Sequence, residues 1–405
     1  MPLGSADQIL VAVKVLSRVE TTRSASNQHE LNGVNEFKKL LGSERIENAP
    51  CTFTYLSDDS ADEVREHAWV TWYDARERNP SRSEYRLYYP SNAAMNRALE
   101  GDLMVLFKEQ DRIEVLVAQA QSTTANQLGW FLGLSPEDGR TKVHQASGLI
   151  SRSRLLADTS LAEILILPDT STPFDNLDFD LLFDTFPDGL PTTAEFAEFA
   201  RRQVDDDIVD DPDTAVLEWR NVEERLFKAI ERSEIAERLD VGFHRGGELD
   251  VDGFVSFSLS IQNRRKARAG RSLEHHVRAI LDHRKIPYSF EPNTENKSKP
   301  DFLFPSIESY HDPEFDSSCL RMLAVKTTCK DRWRQVLSEA EKIPDKHLLT
   351  LEPAISVTQT SEMRDRQLTL VLPVELHKTF RTSQRKDLMT VEGFLRYVNK
   401  APLTS

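Results

Sequence analysis

Residues Leu323–Ile343, LAVKTTCKDRWRQVLSEAEKI, run from an apolar strand through a polar turn into an amphipathic helix. The strand is short and ends at Lys326. The helix that the spacing predicts has one apolar face, formed by Trp333, Val336, Leu337 and Ala340. Such a strand can deliver Lys326 to a cleft, and such a helix can return the carboxylate of Glu339 to the same place.

An aspartate upstream completes a pattern typical of metal-dependent nucleases. Asp301 follows Pro300 and leads into an apolar run; Lys326 comes 25 positions later, and Glu339 comes 13 positions after that. Hydrolysis of a phosphodiester needs a metal ion that polarises the phosphate and activates a water, and a cation near the developing charge. Mg²⁺ prefers oxygen ligands and keeps several waters, so one or two carboxylates suffice. We therefore expect Asp301 and Glu339 to bind Mg²⁺, and Lys326 to position or deprotonate the water.

The strand departs from the usual pattern of this chemistry, acid-x-lysine, because Ala324 lies two positions before Lys326. Glu339 can substitute for the missing acid if it lies in a helix that begins eight residues earlier, about 12 Å away along the axis. Glu274, near the start of another predicted helix, is a candidate further acidic member of the site. The alternative is that all these side chains are surface charges that only share a spacing.

Length and composition limit the class of protein. A chain of 405 residues is too long for one ordinary core, so two domains are expected. No apolar run approaches the roughly 20 residues that cross a bilayer, and the N-terminus lacks the basic region of a signal peptide. The three cysteines are too few for a disulfide framework and lack zinc-type spacing. These features predict a soluble, cytoplasmic protein with reduced thiols and no membrane partner.

The charge distribution permits a nucleic-acid partner despite the formal net charge of −15. Between Asp158 and Glu218 there are 17 acidic and two basic residues, a balance of −15, so the rest of the chain sums to zero. A polyanion binder needs local basic surface rather than a basic total. Ile261–Arg271, IQNRRKARAGR, offers five positive residues and no acid.

Residues 1–167 are predicted to form a mostly β domain. Short apolar or aromatic runs alternate with polar turns from about residue 7 onwards, a spacing that favours a barrel or sandwich with a helix or two. Two polar loops, Glu20–Gly33 and Asp74–Arg86, are rich in Arg and Asn. Such side chains can hydrogen-bond base edges and phosphates, and the alternative is that both loops are only solvated.

An acidic segment, residues 168–184, is predicted to link this domain to an α/β domain at 185–405. In the second domain, apolar spacing predicts a helix over Asp213–Leu239, capped by Asp213 or Thr214. Further on it predicts an alternating segment at Gly253–Leu259, a helix at Ser272–Lys285, strands at His347–Leu351 and Leu368–Val374, and a closing helix at Val391–Val398.

The chain resembles the EcoRII-type restriction endonucleases over about residues 186–390. The resemblance is carried by blocks that look like the signature blocks of that family: Asn263–Glu274, Lys299–Ser306, Tyr310–Asp312, Leu320–Gln335, Glu362–Arg364 and Leu388–Thr390. It implies a PD-(D/E)XK nuclease fold whose glutamate has moved from the strand onto the helix, which accounts for Ala324.

The same resemblance implies roles in DNA recognition. The segment Lys330-Asp331-Arg332 matches residues that read the outer C·G pairs of a CCWGG-type site, and its chemistry agrees, because Arg or Lys pairs with guanine and Asp accepts from cytosine N4. An exposed helix start is the alternative for these three residues. Tyr310 matches a position near the active site, with a packed tyrosine as the alternative. Three basic residues are candidate DNA-backbone clamps, with a solvated basic loop as the alternative: Arg264, Lys266 and Arg268.

The N-terminal domain resembles, more thinly, the DNA-binding pseudobarrel of plant transcription factors. Family members bind a second copy of their site there as an effector, and the domain otherwise covers the catalytic cleft. Glu84 and Arg86 match DNA-contacting positions, and the candidate effector-binding residues are Arg23, Asn27, His29, Arg76, Arg82, Glu84 and Arg86.

The predicted function is therefore a Mg²⁺-dependent type II restriction endonuclease with an effector-binding N-terminal domain. The partners implied are two copies of a double-stranded DNA site and a second subunit, with a homodimer formed through the C-terminal domains. The alternatives are a catalytically silent DNA-binding regulator and a repair or transposition nuclease of the same fold.

Overall fold

The computed structural model describes residues 8–21, 29–59, 62–77, 83–109, 112–131, 147–151, 177–245, 248–329 and 332–400. The chain divides into two compact units. Unit 1 contains residues 1–165 together with 353–360 and 379–383, and unit 2 contains 166–352, 361–378 and 384–405. Most of the predicted linker, residues 168–176, lies outside the described residues, so the linker stays a prediction.

Unit 1 is built on one eight-stranded sheet that curls into a half-barrel, which confirms the predicted β class. Its strand order is β2-β5-β4-β3-β7-β6-β1-β8, antiparallel throughout except for the parallel pair β3 and β7. The strands are β1 (Gln8–Val15), β2 (Glu30–Asn32), β3 (Ile46–Leu56), β4 (Val64–Asp74), β5 (Tyr85–Tyr88), β6 (Leu103–Glu109), β7 (Arg112–Ala118) and β8 (Ser147–Ser151). The described helices before residue 150 are α1 (Arg18–Thr21), α2 (Asn35–Leu41), α3 (Ala93–Arg97) and α4 (Thr123–Phe131).

The centre of this sheet is buried on both faces. In β6, Met104 and Leu106 pack into one apolar cluster, while Val105 and Phe107 pack into another on the opposite face. Successive side chains of a strand point to opposite faces, so a continuous apolar run is what a doubly covered strand requires. The run LMVLF satisfies this requirement.

A buried ion pair closes the base of the first polar loop, between β1 and β2. Lys14 Nζ donates to Glu20 and, at 2.9 Å, to the carbonyl oxygen of Asn32. Glu20 also accepts from the backbone N–H of Asn32 at 2.9 Å and from the N–H and hydroxyl of Ser17 at 3.0 and 2.7 Å. Lys14 and Glu20 are only 5% and 8% exposed. The same two side chains therefore tie together both ends of the loop.

Unit 2 contains two long helices and a mixed sheet, which confirms the predicted α/β class. Its described helices are α5 (Phe179–Thr185), α6 (Thr193–Arg201), α7 (Pro212–Val241), α8 (Val251–His283), α9 (Ile307–His311), α10 (Trp333–Val336), α11 (Val357–Asp365, shared with unit 1), α12 (Val374–His377), α13 (Thr382–Arg385, also shared) and α14 (Val391–Asn399). Short 3₁₀ turns cover Asp206–Asp210, Glu295–Lys297 and Ser317–Cys319. No helix in the described part of the chain is long and apolar enough to cross a membrane.

Helix α8 corrects the expectation of an alternating segment at Gly253–Leu259 and of a helix that begins only at Ser272. Its buried positions Ile261, Ala269, Leu273 and Val277 recur at multiples of four residues, so one apolar stripe runs straight through the basic stretch. The basic side chains occupy the remaining positions of the same helix. The cap predicted for α7 was also wrong, because Asp211 is the residue that accepts from Thr214 N–H.

The sheet of unit 2 has the order β11-β12-β13-β14-β15, and a separate hairpin pairs β9 (His244–Arg245) with β10 (Glu248–Leu249). Strands β11 (Ser289–Phe290), β12 (Phe302–Phe304) and β13 (Arg321–Val325) are antiparallel neighbours. Strands β14 (Lys346–Leu349) and β15 (Leu368–Val371) continue the sheet in parallel with β13. The two predicted strands and the closing helix α14 are thus present.

The Glu20→Gln variant tests the ion pair at the base of the loop. It leaves the buried ammonium of Lys14 without a counter-charge, so we expect the free energy of unfolding to fall by about 3–5 kcal/mol. Urea denaturation measures the change. The matched control is Glu47→Gln, which breaks an exposed pair with Arg45 and should cost no more than about 1 kcal/mol. An equal loss of unfolding free energy in both variants would show that burial does not increase the contribution of the Lys14–Glu20 pair to stability.

Candidate active site

Asp301 and Lys326 meet where two neighbouring strands of unit 2 pass each other. Asp301 directly precedes β12 and Lys326 directly follows β13, and these strands are antiparallel with Phe302 opposite Leu323. One carboxylate oxygen of Asp301, Oδ2, accepts from Lys326 Nζ and from Val325 N–H, both at 2.6 Å. The structure therefore brings together the aspartate and the lysine that the sequence singled out.

This pair is largely removed from solvent. The side chains of Lys326 and Asp301 are 13% and 10% exposed. The backbone N–H of Lys326 donates at 3.0 Å to the carbonyl oxygen of Leu349 on β14. The backbone of Lys326 is thus held by the sheet, and its ammonium donates to Asp301.

Two further carboxylates share the electrostatic environment of Asp301. Burial, followed by the negative charge of Asp301, raises the pKa of Glu274 on α8 to about 7. Burial also raises the pKa of Glu339 to about 7; the nearby Lys326 opposes this shift, and Asp301 adds to it. Glu274 and Glu339 therefore each interact with both Asp301 and Lys326.

The position of Glu339 differs from the expected one. Helix α10 ends at Val336, and Glu339 lies in the turn that follows, just before Ala340 at a φ of 47°. The chain therefore returns Glu339 to the site through a turn rather than along a continuous helix. Its Oε2 atom is buried and has no hydrogen-bond partner.

These acids fit a hard divalent cation. Asp301 and Glu339 are the residues that would hold this cation. Asp301 lies beside Lys326, and Glu339 has a buried carboxylate oxygen without a hydrogen-bond donor. Within the described ranges, no three His, Cys, Asp or Glu side chains form a ready cage. Mg²⁺ does not need such a cage, since it is commonly bound through one or two carboxylates and several waters.

Tyr310 lies against the turn of Glu339 rather than beside the Asp301–Lys326 pair. It is fully buried in α9, and its hydroxyl contacts the two carboxylate oxygens of Glu295 at 2.8 and 2.6 Å. The same hydroxyl accepts from the backbone N–H of Lys342 at 3.2 Å. Burial, together with the hydrogen bond to Glu295, raises the pKa of Tyr310, which keeps the phenol protonated.

The candidate recognition residues are only partly visible. Lys330 and Asp331 lie outside the described residues. Arg332 is exposed immediately before α10, and its backbone N–H donates at 2.7 Å to the carbonyl oxygen of Cys329. The recognition role stays a prediction.

The candidate DNA-backbone clamps on α8 make contacts within the protein. Arg264 pairs with Glu234 at 2.6 Å. Arg268 donates to the Pro191 carbonyl oxygen at 2.7 Å and has the rings of Phe196 and Phe227 at 5.3 and 5.7 Å. The side chain of Lys266 lies outside the described residues. The proposed contacts with DNA therefore stay predictions.

Unit 1 brings together three of the candidate effector-binding residues. Glu84 accepts from Arg76 Nε at 2.6 Å and pairs on its other side with Arg86, and these two arginines hold the pKa of Glu84 below its usual value, Arg86 first. Arg23, Asn27 and Arg82 lie outside the described residues. His29 stands apart at the start of β2, with a φ of 47° and its ring edge-on to that of Tyr89.

Two residues of this region were missed by sequence reasoning. Lys346 and Glu295 both contact the turn that carries Glu339. The only available signal was a lysine at the entry of the buried strand KHLL, because a lysine is rarely buried unless it is paired. Glu295 lies in a polar loop and carried no signal.

Tyr310→Phe tests whether this tyrosine has a structural role. Loss of the hydroxyl removes a hydrogen bond to a charged group, so we expect the free energy of unfolding to fall by about 1.5–3 kcal/mol. The control is Tyr288→Phe, which also removes a hydrogen bond to a carboxylate, that of Asp282 at 2.9 Å. Because this bond is exposed, water replaces it, and its loss should cost about 1 kcal/mol or less. Urea denaturation compares the two; a Tyr310→Phe protein as stable as the control contradicts the assignment.

Comparison with known proteins finds sequence matches in the second half of the chain. A family model described as EcoRII C terminal matches residues 227–395. Over 186 residues the chain is 45% identical to the type II restriction enzyme EcoRII of Escherichia coli, a match that covers 46% of this chain and 45% of that enzyme. The chain thus matches less than half the length of this relative. The fold of unit 2 is of the α/β class, with a five-stranded mixed sheet.

Two solved structures are similar at lower identity. One is metal-depleted Ecl18kI in complex with uncleaved, modified DNA, at 16% identity and a TM-score of 0.44, covering 55% of this chain and 83% of that one. The other is a complex of the restriction endonuclease PspGI with substrate DNA, at 16% identity and a TM-score of 0.42, covering 52% of this chain and 94% of that one. TM-scores this low support no assignment of function.

Proposed function

We propose that this chain, whose residues 227–395 match the EcoRII C-terminal family model, is a Mg²⁺-dependent type II restriction endonuclease that hydrolyses both strands of DNA. The observation that carries the proposal is the buried Asp301–Lys326 pair, with an unsatisfied carboxylate oxygen of Glu339 in the same environment. A structural ion pair alone would not require a third buried acid.

The chain supplies three groups to the reaction. Asp301 and Glu339 bind the metal, which supplies the positive charge that polarises the phosphate and makes a water acidic. Lys326 is held beside Asp301 by its side chain and against Leu349 by its backbone. From that position its ammonium stabilises charge on the phosphate, or its amine accepts the proton of the water. Glu274 adds negative charge beside Asp301.

The residues proposed to recognise the DNA sequence lie between the catalytic residues Lys326 and Glu339 in the chain. Lys330, Asp331 and Arg332 would read the outer C·G pairs of a CCWGG-like site, because Arg and Lys donate to guanine O6 and N7 and Asp accepts from cytosine N4. The backbone bond from Arg332 to Cys329, three residues after Lys326, supports this coupling. A misread base would therefore displace the catalytic segment as well.

The proposal extends to a homodimer that binds two copies of the site. Two catalytic units facing opposite strands explain cleavage of a duplex, and unit 1 would bind the second copy as an effector. The cluster of Arg76, Glu84 and Arg86 supports an effector site, because it presents arginine donors next to a carboxylate acceptor.

Lys326→Met tests the catalytic assignment. The methionine keeps the apolar stem but removes the ammonium, so we expect cleavage of DNA with several unmodified CCWGG sites to slow by about 10²–10⁴-fold. Site-specific binding in a gel shift should persist. Lys378→Met, at an exposed position of the same unit, is the control and should cleave normally. If wild-type protein with Mg²⁺ leaves such DNA intact, a silent DNA-binding regulator is the better description.

A separate experiment tests the effector site. DNA with one CCWGG site should be cut slowly, and a short duplex carrying the site should accelerate cutting when added in trans. Arg86→Ala should abolish this acceleration and leave the slow basal rate unchanged. Equal cleavage of one-site and many-site DNA would reject the effector, and sequencing of the product ends would establish the site itself.

A further inference from the structure

The turn that carries Glu339, residues 337–342, has no regular helix to hold it. After α10 the backbone continues through single turns, in which Glu339 N–H donates to Val336 at 3.1 Å and Ile343 N–H donates to Ala340 at 2.9 Å. Ala340 has a φ of 47°, a left-handed conformation that an L-residue adopts only at some cost. Such a turn keeps its shape only if neighbouring groups fix it.

The side chain of Lys346 contacts the backbone of this turn. It is the first residue of β14, is 5% exposed, and its backbone N–H donates to the Gln367 carbonyl oxygen at 2.9 Å. Its Nζ donates to the carbonyl oxygen of Glu339 and, at 2.8 Å, to that of Ala340. One buried ammonium therefore binds the two carbonyl oxygens on either side of the left-handed bend.

The far end of the turn is held by different groups. Glu341 N–H donates to Glu295 at 3.3 Å, Lys342 N–H donates to Tyr310 Oη at 3.2 Å, and Lys342 Nζ donates to the Tyr310 carbonyl oxygen at 2.7 Å. These bonds fix residues 341 and 342. Lys346 is the side chain that contacts the backbone of Glu339 itself.

We propose that Lys346 is a positioning residue that keeps the carboxylate of Glu339 in the metal site, an inference that rests on the proposed function. Without the ammonium, two carbonyl oxygens lose their donor, and the left-handed bend can relax towards a regular helical turn. The carboxylate of Glu339 then moves away from Asp301. Groups that orient a metal ligand in this way typically contribute 10–100-fold to metal affinity.

The test is direct metal binding by the full-length protein. Mn²⁺ serves as the probe, and electron paramagnetic resonance measures the free ion during a titration without DNA. Lys346→Met should raise the dissociation constant for Mn²⁺ by about 10–100-fold. Lys346→Arg keeps a donor for the two carbonyl oxygens and should recover part of the affinity. Lys386→Met, at an exposed position, should bind as wild type.

A second readout separates positioning from a general loss of structure. In cleavage assays Lys346→Met should need about 10–100-fold more Mg²⁺ for half-maximal rate and should approach the wild-type rate at saturating metal, and its metal-free binding to DNA should be unchanged. If Lys346→Met does not fold, as judged by circular dichroism, Lys346→Arg and Lys346→Gln decide the matter. The arginine variant should then bind Mn²⁺ more tightly than the glutamine variant.

Glu339→Gln distinguishes failure of this inference from failure of the proposed function. Wild-type Mn²⁺ affinity in the Lys346 variants, together with weakened binding in Glu339→Gln, would overturn the positioning role alone. Unchanged binding in Glu339→Gln would overturn the metal site, and the role of Lys346 with it.

Discussion

The hydrogen bonds that converge on Asp301 Oδ2 are the constraint on which the candidate site depends. The donor from Val325 is a backbone N–H, so the register of β12 against β13 fixes where the carboxylate lies. Lys326 comes directly after β13, and its side chain donates to the same carboxylate oxygen. A slip of this register by one residue would turn the strand's side chains to the opposite face. Such a slip would separate the aspartate from the lysine.

Two buried lysines, Lys14 in unit 1 and Lys346 in unit 2, have the same structural role. Lys14 binds a carboxylate and a backbone carbonyl at the base of a polar loop, and Lys346 binds two backbone carbonyls at the base of the Glu339 turn. An ammonium has three donors on a flexible stem, so it can satisfy several acceptors that no regular element serves. The polar loop and the Glu339 turn can therefore be held in place by a lysine side chain, although they make few backbone hydrogen bonds of their own.

The sequence predicted the pairing of Asp301 with Lys326 because both flank short apolar strands, and a strand pattern constrains position strongly. It did not predict the end of α10, because residues Trp333–Ala340 keep helical spacing of apolar side chains beyond Val336. Just beyond that end, the backbone accepts hydrogen bonds from Lys346, which lies on another strand and has no local signature. Similarly, the basic residues of α8 indicated a DNA surface, whereas Arg268 packs against two phenylalanine rings. Charge alone does not distinguish a side chain that faces DNA from one that pairs within the fold.

The electrostatics of the site disfavour the ionised forms of two of its acids, Glu274 and Glu339. The negative charge of Asp301 adds to the raised pKa of both Glu274 and Glu339, while Lys326 opposes both shifts, together with Arg271 at Glu274 and Lys346 at Glu339. Burial of like charges without enough counter-charge disfavours the ionised forms, which is the physical cause of the raised pKa values of Glu274 and Glu339. The retention of Glu339 at a strained turn, with one oxygen unsatisfied, is explained if a divalent cation supplies the missing charge.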